Sequence, residues 1–436
     1  MKEINIGLLG FGTIGAGVVK LLATNGLLVE EKLGARLRLK KVVDLDIVTD
    51  RGVQLDPGIL TTDVTQVLDD PEISVVIELI GGYEPARTFV LRAIAGGKHI
   101  VTANKALLAV HGEEIYAAAA AKGVEVLYEA AVGGGIPVLS AIKGNMAANN
   151  FSTVLGIVNG TCNYILTKMS QDGADFAEVL KKAQQLGYAE ADPTFDVEGI
   201  DTAHKLSLLL SLCFGTWVDL KDIYTEGISS ISPIDVNFAR EFGYKIKLLA
   251  IGKRTGDCIE ARVHPTMIPK DYPLADVNGV FNAIRLAGDF VGPVMFYGRG
   301  AGMDATASAI VGDVIDVARN MLAGISRRCA PLGYLDNRVR RLPIKPMGDT
   351  ISKYFIRFSV VDQPGVLAKI AGVLGAYSIS IESMVQSARS ASETVPIVIM
   401  THEAREVDIM KALAEIDSYD ITKEKSNLIR IEDNLE

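Results

Sequence analysis

Cysteine, histidine and tryptophan are scarce in this chain: its 436 residues include four, five and one of them. Cys162, Cys213, Cys258 and Cys329 stand far apart, so no pair has metal-binding spacing and no disulfide framework is readable. His99, His111, His204, His264 and His402 are equally scattered, which leaves no legible zinc site. Net positive charge is missing too, since 44 basic against 53 acidic residues give −9. That balance argues against nucleic acid or an anionic membrane as a main partner. The longest apolar run, Leu206–Val218, is too short to span a bilayer and is interrupted by Ser211, Gly215 and Thr216. The opening MKEINIGLLGFG enters strand-like sequence without the apolar region of a signal peptide. A soluble protein of a reducing compartment, the cytoplasm, is expected.

Hydrophobic residues make up 49% and charged residues 22%, as in globular chains, and the length suggests two or three domains. Ile4–Leu9 reads as a buried strand, and Ala16–Ala23 as an apolar helix. Between them Gly10, Gly12 and Gly15 form G-x-G-x-x-G, with Thr13 and Ile14 inside the motif. In that context the motif is a dinucleotide fingerprint. Gly10 permits a tight turn, Gly12 lets backbone approach a pyrophosphate, and Gly15 lets helix and strand pack closely. The helix N-terminus then offers free N–H groups to the phosphates. The next strand, Leu37–Val43, ends in Asp44, an acid suited to a ribose 2′-OH and so to NAD. The insertion NGLLVEEKLGAR lengthens the crossover before it, and Arg51 offers a 2′-phosphate an alternative partner, so NADP stays open.

Further strands are expected at 75–82, 99–105 and 124–137, alternating with helices. This pattern predicts a Rossmann-type doubly wound parallel sheet, whose ligands sit at the carboxyl ends of strands. Glu78, Lys105 and Glu129 fall there. Lys105 either opens a helix or serves the site; a cation is unfavourable at a helix N-terminus, which favours the site. For Glu78, amide capping and catalysis stay equal alternatives.

The stretch EADPTFDVEGIDTAHK (190–205) gathers Glu190, Asp192, Asp196, Glu198 and Asp201, with Lys205 four residues after the last acid. Pro193 and Gly199 predict a loop over 190–198, and a helix restarts near Gly199 with Ile200, Ala203, Leu206 and Leu210 on one face. Asp201 and Lys205 share a helix face at i, i+4. A surface ion pair is the simplest account, but an apolar helix through Leu212 implies burial beside a cleft. Segment 220–297 reads as strands of an open mixed sheet with short helices. The Gly300–Gly302 turn enters a long helix at 303–322.

Taken together, GFGTIG, TANKA, YEAAVGGGIPV, VNGTCNYIL, GYAEADPTFDVEGIDTAHKL and GRGAGMDATASA resemble the homoserine dehydrogenases, in order over roughly residues 1–330. The resemblance implies an NAD- or NADP-dependent enzyme that interconverts aspartate 4-semialdehyde and homoserine. It makes Lys205 and Asp201 the catalytic pair, Lys105 a second lysine near nicotinamide and substrate, and Glu190 the holder of the substrate amine. Asp196 becomes a further substrate contact and Gly302 a cofactor contact. A monovalent cation, usually sodium, is implied at Glu129 and the carbonyls of Val132, Gly134 and Ile136. Asp192 and Glu198 are left as solvated loop charges, and His204 as surface or packing. An α+β substrate domain is implied whose mixed sheet joins two subunits, giving a homo-oligomer, a dimer or tetramer.

After a basic, proline-containing linker (337–350), residues 351–436 resemble an ACT domain of β-α-β-β-α-β, ferredoxin-like order. The resemblance implies an amino-acid effector, threonine by pathway logic, near Asp362, Gly365, Val366 and Leu367. The expected division is 1–133 for the nucleotide, 134–336 for substrate and dimerisation with 300–336 returning to the nucleotide domain, 337–350 linker, and 351–436 ACT. Two rivals stand: another amino-acid dehydrogenase of this architecture, and a catalytically silent amino-acid sensor, against which intact Glu190, Asp201 and Lys205 argue.

Overall fold

The computed structural model describes residues 2–386 and 394–434. Residues 1, 387–393 and 435–436, which fall within the expected 1–133 and 351–436 modules, lie outside the described residues. The chain starts with β1 (Lys2–Leu9), buried over its last four residues. α1 (Thr13–Leu33) runs ten residues beyond the expected Ala23. The insertion after Ala23 is therefore helix, and it ends where Gly34, at φ 73°, donates its N–H to the Glu30 carbonyl. α1 is long and apolar enough by composition to cross a membrane. Here it is a crossover helix with Gly15–Val19 buried.

β2 (Ala35–Val43), β3 (Leu60–Thr61), α2 (Thr65–Leu68), β4 (Ile73–Glu78), α3 (Ala86–Ala95), β5 (His99–Thr102), α4 (Lys105–Lys122) and β6 (Val126–Leu127) complete the alternation. The strand expected over 124–137 is only two residues long. Glu129–Ala131 turns instead as a 3-10 helix, because Glu129 is bound from two sides, as described below. The middle of the chain holds α5 (Val138–Lys143), β7 (Phe151–Ile157), α6 (Gly160–Asp172), α7 (Phe176–Gln185), α8 (Thr194–Val197) and α9 (Ile200–Phe214). The loop expected over 190–198 thus contains a single helical turn, since Pro193 is tolerated just before a helix start and fails only inside one. Then come β8 (Tyr224–Thr225), α10 (Pro233–Glu241), β9 (Tyr244–Thr255), β10 (Cys258–Pro269), β11 (Phe281–Gly288), β12 (Gly292–Arg299) and α11 (Met303–Leu322). β13 (Ile351–Val361), α12 (Val366–Ala376), β14 (Ile381–Gln386), β15 (Thr394–Thr401), β16 (Ala404–Arg405), α13 (Glu406–Asp417) and β17 (Thr422–Ile431) follow, in the order expected of an ACT module plus the two-residue β16.

The chain forms two compact units. One comprises Met1–Gly160, Thr202–Ile223 and Phe281–Leu342; the other comprises Thr161–Asp201, Tyr224–Val280 and Pro343–Glu436. The first unit holds a parallel sheet in the order β3-β2-β1-β4-β5-β6. Ile6, Leu8, Val75, Ile77 and Val101 form its core with Val314 and Val317 of α11. Gly17 is what allows α11 so close to α1, because a Cβ there would lie 2.7 Å from Met303 Cγ. The same unit carries β7, β11 and β12 as an antiparallel run.

In the second unit β9 and β10 pair antiparallel, and β10 pairs in parallel with β17 at Thr266↔Arg430 and Met267↔Ile431. β17, β13, β15 and β14 continue the sheet antiparallel. α12 and α13 cover it through Ile370, Leu374, Ile409 and Ile416. A buried ion pair ties α10 to this sheet. Asp235, fully buried, accepts from Arg357 Nε at 2.6 Å and Nη2 at 3.2 Å, and from Asn427 at 2.8 Å. It also closes a capping box with Ser232. Truncating it strands a buried guanidinium, so Asp235→Ala is expected to cost about 3–5 kcal/mol in a urea titration of this unit. A loss below about 1 kcal/mol would mean that the pair contributes little.

Candidate active site

The glycine turn lies between β1 and α1, with Gly10 donating its N–H to the Val43 carbonyl at 2.8 Å. Gly10 sits at φ 99°, and a Cβ there would lie 2.7 Å from the Leu79 backbone. A Cβ on Gly15 would lie 2.3 Å from the Gly10 carbonyl oxygen. Gly12 differs: among the described residues, its chain neighbours aside, nothing lies within 4 Å of its Cβ position, and none of them caps the α1 N-terminus with a side chain. Open space before uncapped N–H groups fits the pyrophosphate of a dinucleotide. Asp44, at the end of β2, accepts the Phe11 N–H at 2.5 Å and the Asp46 N–H at 2.9 Å. Arg51 is engaged with Asp46 at 2.8 Å. Gly302, at φ 112°, is the N-cap of α11.

The acids at the strand ends have separate uses. Glu78, fully buried, accepts from the N–H groups of Ile80 at 2.8 Å and Gly81 at 3.2 Å, and from the Thr102 hydroxyl at 2.7 Å. Of its two alternatives the geometry selects amide capping. Lys105 does open a helix, half-buried in the first turn of α4 behind the N-cap Asn104. Asn104 accepts the Leu107 N–H and donates to the Gly82 carbonyl at 2.8 Å.

Glu129 accepts the Leu139 and Ser140 N–H groups of α5 at 2.8 and 2.7 Å, one on each carboxylate oxygen. Its own N–H donates to Asp313 of α11 at 2.8 Å. Its carboxylate thus anchors the first turn of α5. Burial pushes the Glu129 carboxyl up and the Asp313 carboxyl up to about 7, against the Lys143 ammonium nearby. Among the described residues no group of three or more His, Cys, Asp or Glu side chains could hold a metal. Carbonyl oxygens suit a hard cation, and Gly133 at φ 72° and Gly134 at φ 56° turn the backbone between Val132 and Ile136. Gly134 is pressed against the Gly300 carbonyl oxygen, 2.5 Å from its Cβ position.

α9 is buried from Asp201 onward, with Asp201 and His204 each 4% exposed, whereas Ile200, expected on its apolar face, is 38% exposed at the helix start. His204 is therefore packing. Lys205, one turn after Asp201, donates its Nζ to the Val158 carbonyl at 2.7 Å, at the end of β7. The preceding acids differ in their surroundings. Glu190 is exposed, with its carbonyl and that of Ala191 accepting from Gln184 at 3.0 and 3.3 Å. Asp196 is half-buried, and its carbonyl accepts from the Cys162 thiol at 3.2 Å. Asp192 and Glu198 are exposed loop charges, as expected, and each takes a local hydrogen bond. The Thr194 hydroxyl and N–H hold the Asp192 carboxyl below its usual value, and Glu198 accepts the Ser229 hydroxyl at 2.6 Å.

In the C-terminal module a cavity of about 240 Å³ is lined by Asp362, Gly365, Val366 and Leu367, together with Gln386 and Ile397. Gly365, at φ 88°, starts α12 without a side-chain cap. Sequence reasoning missed Asp313, Cys162 and Ser229, because each lies far in sequence from what it touches. Only Thr102, two residues before Asn104, carried a local signal, its hydroxyl accepting the Asn104 N–H at 2.9 Å.

A parallel sheet of this order with an open glycine turn at its switch point defines a dinucleotide-binding protein, here carrying a β-α-β-β-α-β module at its C-terminal end. Comparison with known proteins makes this specific. Residues 10–129 match the family description "Homoserine dehydrogenase, NAD binding domain", residues 137–315 "Homoserine dehydrogenase", and residues 354–418 "ACT domain". The chain is 43% identical over 433 residues to a homoserine dehydrogenase of Neisseria gonorrhoeae, and 44% identical over 435 to one of Pseudomonas aeruginosa, covering 99% of each pair. Its structure is similar to that of a homoserine dehydrogenase from Thiobacillus denitrificans, with TM-score 0.93, 46% identity and 99% of both chains covered. A homoserine dehydrogenase of S. aureus superposes at TM-score 0.76 with 33% identity, again over 99% of both chains. The chain belongs to the homoserine dehydrogenase family and is an NAD(P)-dependent oxidoreductase.

Because the Gly12 Cβ position is open, Gly12→Ala is expected to fold with a stability change within about 1 kcal/mol. Its nicotinamide dinucleotide affinity should nevertheless fall at least about tenfold, ~1.4 kcal/mol, in equilibrium titration. Unchanged affinity would remove the turn from the cofactor site.

Proposed function

We propose that the protein reversibly reduces L-aspartate 4-semialdehyde to L-homoserine, towards threonine, methionine and isoleucine, with Lys205 and Asp201 as its proton-handling pair. The observation that carries this is α9, buried from Asp201 onward, where Lys205 is tethered to the Val158 carbonyl at 2.7 Å. The bound nicotinamide supplies the hydride. Lys205 polarises the aldehyde oxygen and delivers the proton that the new alkoxide needs, directly or through a water. Asp201 orients that ammonium or the substrate hydroxyl. Lys105 is a second cation for substrate and nicotinamide, Glu190 binds the substrate ammonium, and Asp196 is a further substrate contact.

Gly10, Gly12, Thr13, Ile14 and Gly15 receive the dinucleotide, with Asp44 and Gly302 beside it. Asp44 favours NAD, and Arg51 would have to leave Asp46 to serve the 2′-phosphate of NADP. A sodium ion would be held by Glu129 and the backbone carbonyls of Val132, Gly134 and Ile136. An amino acid, threonine by the logic of the pathway, would occupy the cavity at Asp362, Gly365, Val366 and Leu367 and feed back on activity. We further infer a homo-oligomer, a dimer or tetramer, in the cytoplasm. β12 supports the oligomer: it exposes Met295 by 39% and Tyr297 by 54% on one face, and Phe290 by 88% just before it. The functional division is 1–133, 134–336 with 300–336 serving the nucleotide, 337–350 and 351–436.

Purified protein is expected to reduce NAD+ or NADP+ with homoserine at alkaline pH. Lys205→Ala should lower kcat by about 10²–10⁴-fold at unchanged cofactor affinity. Full activity of the variant would refute the role given to Lys205, and no nicotinamide reduction by the wild type would refute the reaction.

A further inference from the structure

Besides Arg357, the C-terminal module sends a second arginine to residues outside itself. Arg430, on β17, is 2% exposed and makes four hydrogen bonds. Two go to Glu406 of α13, from Nε at 3.0 Å and Nη2 at 2.5 Å. The other two leave the module, from Nη1 to Glu226 Oε2 at 2.7 Å and from Nη2 to the Tyr224 hydroxyl at 3.0 Å. Tyr224 in turn donates to the same Glu226 oxygen at 2.8 Å, and the guanidinium lies 5.0 Å from its ring centroid. A buried guanidinium with a charged partner on each side is rigid in position and expensive to disrupt.

The residues it grips lie in and just after β8, next to the segment on which the end of the acidic loop rests. Glu226 donates its N–H to the Val263 carbonyl at 2.8 Å. Two residues on, Ile228 donates to the Val197 carbonyl of α8 at 2.8 Å. Between them Gly227 lies against the loop so closely that a Cβ would come 2.4 Å from the Val197 oxygen and 2.6 Å from Glu198 Cα. From the other side Gly199, at φ 80°, packs on Val263 and Thr225, with its Cβ position 3.1 and 3.2 Å from their methyl carbons. Ser229 closes the contact by donating to Glu198 at 2.6 Å. The end of the acidic loop, Val197–Gly199, is thus seated on 225–229, and that segment is fixed by Glu226 to a residue of the C-terminal module.

We propose that Arg430 and Glu226 are positioning residues for substrate binding: the last strand of the C-terminal module holds the bed of the loop that carries Glu190 and Asp196. This rests on the reading of those acids as substrate contacts. Neither Arg430 nor Glu226 is assigned contact with substrate or cofactor. Their effect is therefore expected in the affinity for the amino-acid substrate and not in the chemical step.

The test is steady-state kinetics on the full-length enzyme with homoserine and the nicotinamide varied separately. Glu226→Gln keeps the shape and loses the charge, and should raise KM for homoserine about 5- to 30-fold. Its kcat should stay within about twofold, and its KM for the nicotinamide should not move. Arg430→Lys keeps the charge and loses the fork, so it should raise the same KM, and the double variant should fall short of the product of the two effects. Ser229→Ala, at an exposed position, guards against misfolding of the buried variants; it should raise KM for homoserine by about threefold. Parallel changes in both KM values, or full substrate affinity in all three variants, would overturn the proposal and leave Arg430 a purely structural tie. Glu190→Gln separates the two layers. If it raises KM for homoserine while the other variants do not, the substrate site stands and this inference falls. If Glu190→Gln has no effect, the substrate reading fails and takes this inference with it.

Discussion

A loop that carries four carboxylates in nine residues, with a fifth three residues on, cannot be held by its side chains alone. Like charges at this density repel, and pairing each acid would leave none for a substrate. The chain resolves this by fixing the loop through its backbone. The carbonyls of Glu190, Asp196 and Val197 take hydrogen bonds from Gln184, Cys162 and Ile228. Asp192 and Glu198 spend their carboxylates on local bonds, to Thr194 and Ser229. The division of labour among the acids, with Glu190 exposed and Asp196 half-buried, follows from that constraint.

The nucleotide half obeys a related rule, in which space rather than charge is rationed. Gly10 and Gly15 are glycines because other parts of the protein already fill the positions of their side chains. Gly12 is a glycine although the protein leaves that place open. The contrast separates residues that make the turn from the one that leaves room beyond it. Glu78 and Glu129 belong with the first kind, since both are buried acids whose oxygens accept backbone N–H groups and shape the loops around the site.

Much of this was legible in the sequence because it is local. A glycine fingerprint between a strand and a helix, an i, i+4 acid–lysine pair on an apolar helix, and the β-α-β-β-α-β order all lie within short windows. What was not legible depends on partners far along the chain. Glu198 is an exposed charge, but its bond to Ser229, 31 residues away, could not be read from the sequence around it. The early end of β6 follows from the hold of α5 and Asp313 on Glu129, the latter across 184 residues. The helical turn at Thr194–Val197 was hidden by Pro193, which reads as a breaker yet sits where a helix start tolerates it. The alternatives left open for Glu78 were decided by two amides and a hydroxyl, none of which a pattern of residue types reports.

The central claim is that the acids of this loop are unequal and that Glu190 recognises the amine of the substrate. Comparing kcat/KM for homoserine with that for 4-hydroxybutanoate, which lacks the amine, tests it most directly. In the wild type homoserine should be preferred by at least about 100-fold, and Glu190→Gln should abolish most of that preference while leaving the analogue's value unchanged. An undiminished preference for the amine in Glu190→Gln would contradict the account.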